Sequence, residues 1–145
     1  MNLLNEAKVT RVQNAAAVGT TTLTTSAVDM ANFEEVTFMV MFGTITDGTP
    51  GIKVRQGNQS NMSDAQDLAG SLVSLAATDD NKVALVTVVK PVDRYVDCQI
   101  IRGGATGAVV DGGVAIQRYP RKQPVTQDTT VGGSETHSSP AEGTA

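Results

Sequence analysis

Residues 35–42 read Glu35-Val-Thr-Phe-Met-Val-Met-Phe42, and Val36, Phe38, Val40 and Phe42 recur at a spacing of two. Side chains two apart share a face only on an extended strand, so this run commits the chain to β-structure with a core on one side. The opposite face carries Glu35, Thr37, Met39 and Met41, polar at its start and soft apolar at its end. Residues 83–89, Val-Ala-Leu-Val-Thr-Val-Val, are apolar on both faces, which predicts a central strand covered on both sides. In 95–101, Val96, Cys98 and Ile100 alternate with Tyr95, Asp97 and Gln99, a half-buried strand. Residues 114–119 predict a further strand, and 7–13, 20–26 and 52–56 carry weaker patterns. Only Ser63–Ala69 suits a helix, with Ser63 as N-cap, Asp64 in the first turn and Gly70 as its stop.

Gly-rich punctuation separates these runs, at Asp47-Gly-Thr-Pro-Gly51, Gln56-Gly-Asn58, Gly103-Gly104 and Gly112-Gly113. Nineteen Val and eighteen Thr favour strands over helices. The expected fold is all-β: a single-domain antiparallel β-sandwich or jelly-roll-like barrel, with extended N- and C-terminal arms. At 145 residues the chain suits one domain. We place an N-terminal arm at 1–18, the β domain at 19–120 and a polar, low-complexity C-terminal arm at 121–145. From Pro120 onward the chain has two Val, Val125 and Val131, and no Leu, Ile, Phe or Met, too little apolar surface to offset the entropy of ordering.

Charge and cysteine usage remove several function classes. The net charge of −4, without a run of clustered Lys and Arg, disfavours nucleic-acid and anionic-membrane binding. The start, Met1-Asn-Leu-Leu-Asn-Glu6, lacks the basic and apolar regions of a signal peptide. A single cysteine, Cys98, rules out an internal disulfide. Alternating with core positions, it reads as a small hydrophobe.

The search for catalytic or metal chemistry finds weak material. His137 sits in the polar tail, where no packing would hold it for Ser-His-Asp or Cys-His chemistry. Asp79-Asp-Asn81 lies between apolar runs and reads as a turn, where Asp and Asn bond nearby backbone. Arg102-Gly-Gly-Ala-Thr-Gly107 resembles a phosphate loop only in its glycines. No Gly-Lys-Ser/Thr follows, and a hairpin loop between 95–101 and 108–118 accounts for it. No cofactor, metal or catalytic residue is therefore expected. Two groups suggest partner binding instead. Met39 and Met41 would form a subunit interface if their face lies uncovered, since Met suits pliable contacts. Arg118, Arg121 and Lys122 cluster where the domain meets the tail and suit an acidic partner surface.

Several segments in order carry a resemblance: Ala27-Val-Asp-Met-Ala-Asn-Phe33 leading into 35–42, Ile52-Lys-Val-Arg-Gln56 and Asp64-Ala-Gln-Asp-Leu-Ala-Gly70. Asp79-Asp-Asn-Lys82, Lys90-Pro-Val-Asp-Arg-Tyr95, the Arg102-Gly loop and Val114-Ala-Ile-Gln-Arg-Tyr119 complete the set. Together, over roughly residues 20–124, they resemble small structural proteins encoded among the head genes of tailed bacteriophages and prophages. The resemblance implies a virion protein, a capsid decoration or cement protein made in the host bacterial cytoplasm. It would sit on the outside of the shell, bridge major capsid protein subunits and form a homotrimer, without catalytic residues, nucleic acid or membrane. A head–tail connector or tail-tube protein is the nearest alternative. A carbohydrate-binding module would normally show Trp or Tyr platforms, and this chain has no Trp.

Overall fold

A computed structural model describes residues 2–139 and 141–144. Two antiparallel sheets pack face to face. The first has the order β1 (Ala7–Gln13), β11 (Ala108–Pro120), β5 (Phe33–Ile45), β9 (Val83–Val89), and β2 (Ala16–Gly19) also pairs with β11. The second has the order β3 (Leu23–Thr24), β10 (Tyr95–Ile101), β6 (Gly51–Gly57), β7 (Gln66–Asp67), with β4 (Val28–Asp29) on β10 and β8 (Val73–Ser74) on β6. This is an all-β sandwich. Val36, Phe38, Val40 and Phe42 of β5 are fully buried against Ile52, Val54, Val96, Cys98 and Ile100 of the second sheet, as their spacing of two requires.

β11 is the organising strand of the first sheet. Its early part pairs with β2 and its later part with β1, while its other side follows β5 along nearly its whole length. The change of partner falls at a bulge around Gly112, whose φ of +145° suits glycine.

Five expectations are corrected by the structure, four of them in the sheets and their connections. Residues 1–18, read as an arm, are largely built into the sheet: Asn2 caps a single helical turn, α1 (Leu3–Glu6), and β1 follows at once with Ala7 and Val12 buried. β11 needs a neighbour on its second side, and the weak alternation of 7–13 is enough once that ladder is on offer. Residues 83–89 form an edge strand, because β9 pairs with β5 alone. Its inward row, Ala84, Val86 and Val88, supplies core, while Val83, Leu85 and Val89 are 47%, 52% and 61% exposed.

The segment 63–69 is a turn running into β7. The Asp64 carboxylate accepts from the amides of Asn58 and Gln59, 2.8 and 3.1 Å away, and so caps the preceding loop. Finally, Arg102–Gly107 is a crossover between the sheets, since β10 and β11 belong to different ones. The Asp47 carboxylate accepts from the amides of Ala105, Thr106 and Gly107, at 2.7 Å for Gly107. A Cβ on Gly107 would strike the Gly19 carbonyl.

The polar C-terminal segment does not leave the body at residue 121. Val125 N donates to Asn5 O at 2.9 Å. The Gln127 carboxamide accepts from Val9 N and donates to Leu4 O and Ala7 O. The Thr130 hydroxyl accepts from Arg11 N, and Asp128 lies 3.5 Å from Lys8. Residues 125–131 thus form a strap along the outer edge of β1. Beyond it the described residues 132–139 and 141–144 are exposed.

Candidate interaction surfaces

The ladder places residues in rows on the face of the first sheet that points away from the second. Arg11, Val114, Met39 and Leu85 form one row across β1, β11, β5 and β9; Val9, Ile116, Thr37 and Thr87 form the next. Thr37 and Thr87 share a 2.8 Å hydroxyl hydrogen bond. Met39 and Met41 are half-buried here, flanked by Val114, Leu85 and Val83, and no second sheet covers them. The strap reaches one corner of this face, where Thr130 and Val131 line a shallow cleft with Met41, Val9 and Val114.

Arg118 lies on the same face, 3.2 Å from Glu35 and stacked on Tyr119 at 5.1 Å, with its Nε buried and unbonded. Arg121 and Lys122 follow the end of β11. Arg121 N donates to Asn32 O at 2.9 Å, and its side chain lines a cleft of about 440 Å³ with Phe33, Glu34, Lys90, Val92 and Arg94. Lys122 lines a neighbouring cleft with Lys8 and Phe33.

The structure therefore joins Arg118, Arg121 and Lys122 at one end of the sandwich and adds Lys90 and Arg94, which the sequence reading did not select. Among the described residues, Lys90, Arg121 and Lys122 form no ion pair. Arg94 does, gripping Asp29 with two bonds of 2.9 and 2.7 Å. That bond, from the Arg94 guanidinium, holds the Asp29 carboxyl below the usual carboxylate range despite partial desolvation. Val92, 90% exposed beside Lys90, adds an apolar contact point. Lys90 and Arg94 belong to a loop about 30 residues from Arg121 in sequence, so only the sheet topology could bring them together.

The residues weighed for chemistry lie elsewhere. His137 contacts Glu135 at 2.8 Å in the exposed tail. Cys98 is buried at 0% exposure, and desolvation pushes its thiol up to about 12. Asp79 caps its own turn, accepting from Ala76 N and Lys82 Nζ, and Asp80 accepts from Ile45 N. Among the described residues no three His, Cys, Asp or Glu side chains converge as metal ligands. No helix there is long and apolar enough to cross a membrane.

No known protein family matches the chain, and no curated protein does.

Proposed function

We propose that this chain is a bacteriophage capsid decoration protein, which binds the outside of the head shell and bridges major capsid protein subunits. The ordered set of head-protein-like segments suggests the class. The observation that carries the docking role is the group of unpaired cations, Lys90, Arg121 and Lys122, at one end of a chain with net charge −4. These three cations stand beside Glu34 and Asp93 of the same end, yet without an ion-pair partner they are available to acidic groups of a partner surface, and many such contacts across a shell add through multivalency.

Quantitative mass spectrometry of purified particles tests this reading. A copy number near that of the major capsid protein is expected. A few copies per hundred would move the protein to the neck or tail, as a connector or tail-tube component, and absence from particles would end the virion reading.

A further inference from the structure

The edge formed by β9 is unlike the others in the molecule. At the opposite edge of the same sheet, Gln127 and Thr130 of the strap occupy the amides of Val9 and Arg11. The outer strands of the second sheet are two-residue pieces. β9 alone among the described edges offers seven continuous residues with nothing paired outside them.

Two flanking bonds, Phe42 N to Lys82 O at 3.0 Å and Lys90 N to Glu34 O at 2.6 Å, fix the phase of the ladder. Residues 84, 86 and 88 exchange bonds with β5, so the N–H and C=O groups of Val83, Leu85, Thr87 and Val89 point outward. Sheets ordinarily avoid a long, exposed apolar edge of this kind.

The edge sequence is close to symmetric about Val86: Lys82-Val-Ala-Leu-Val-Thr-Val-Val-Lys90. A two-fold contact requires that if residue i meets j, then j meets i. Centred on Val86, Val83 meets Val89 of a second copy and Leu85 meets Thr87. At each end Lys82 approaches Lys90, and each lysine brings a carboxylate. Asp79 lies 2.7 Å from Lys82 Nζ, and Glu34 lines the same cleft as Lys90. The end is thus a mixed cluster of four charges.

We propose that β9 pairs antiparallel with β9 of a second copy, in register about Val86, joining two sheets across a two-fold axis. The remaining rim of each joined sheet is then β1, occupied by its strap, continued by the four-residue β2. Two seven-residue strands bury less than the roughly 800 Å² per partner of a standard interface, so the association is expected to be weak. The inference concerns the isolated chain and does not depend on the capsid reading.

The test mixes full-length Leu85→Cys chains with Thr87→Cys chains under mild oxidation. Opposed residues of a hydrogen-bonded pair lie about 5.5 Å apart at Cα, within disulfide range. A crosslinked dimer is expected in the mixture and in neither variant alone. In sedimentation, Leu85→Lys is expected to hold the chain monomeric while its thermal melt stays unchanged. Three results overturn the proposal: no crosslink in the mixture; a crosslink in Leu85→Cys alone, which means another register; or an oligomer indifferent to Leu85→Lys. If either cysteine variant fails to fold, a wild-type chain that stays monomeric to roughly 1 mM overturns it as well. Particle copy number is a separate measurement, so failure here and failure of the decoration reading are distinguishable.

Discussion

Asp47 holds the sheet-to-sheet crossover with one carboxylate. Hydrogen bonds from the amides of Gly107, Thr106 and Ala105 depress its pKa, and amides of Asn58 and Gln59 do the same for Asp64. A carboxyl whose folded pKa lies below its unfolded value stabilises fully above that unfolded value, near 3.8, and the contribution fades as pH falls through the lower folded value. Urea midpoints should therefore be flat from neutral pH to about pH 5 and drop below pH 4. Asp47→Asn should flatten that acid limb. Arg55 and Asp97 form the other demanding pair, bidentate at 3.0 and 2.6 Å with Asp97 only 1% exposed. Arg55→Ala leaves a buried carboxylate alone and should cost about 3 kcal/mol in chemical denaturation. The double variant Arg55→Met/Asp97→Leu should recover most of that loss. At this scale the sequence was readable where a side chain bonds its own neighbourhood, as Asp79 does in its turn. It was misread at Asp64, which caps the loop before it, because the partner amides of a carboxylate depend on how the chain folds back.

Among the elements, β5 and β10 declared themselves through alternation, which needs no knowledge of neighbours. β9 did not declare its place. Two apolar faces say that a strand is hydrophobic, and only the pairing partners say whether it lies inside a sheet or at its rim. The strap was hidden for another reason: it is held by side-chain-to-backbone bonds, and hydrophobicity arguments do not register Gln127 or Thr130. Gln127→Ala removes three bonds to the start of β1. We expect a loss of about 1–3 kcal/mol in the thermal or urea transition, with faster amide exchange at Val9. Deleting residues 132–145 should leave both measurements unchanged.

For the whole molecule, the docking reading concentrates on one end of the sandwich, and there the sequence showed only half of the site. Arg118, Arg121 and Lys122 fall within one stretch of five residues, whereas Lys90 and Arg94 join them only through the fold. Arg121→Glu/Lys122→Glu should weaken attachment to particles, most visibly at low salt where screening is least, with the isolated protein's melt unaltered. Retention of full particle occupancy by this variant would remove the basic end from the docking surface.

The strap along β1 also governs what kind of polymer this chain could become. Arg121 and Lys122 are exposed just ahead of it, so trypsin can sever the strap from the body. A body without its strap presents bare amides on β1 at one rim and open β9 at the other. Pairing β1 of each molecule with β9 of the next has no closing step, and growth of that kind yields filaments. Light scattering that rises after limited digestion, and stays flat for digested Leu85→Lys, would show that seven residues of modest chemistry separate a discrete protein from a fibre.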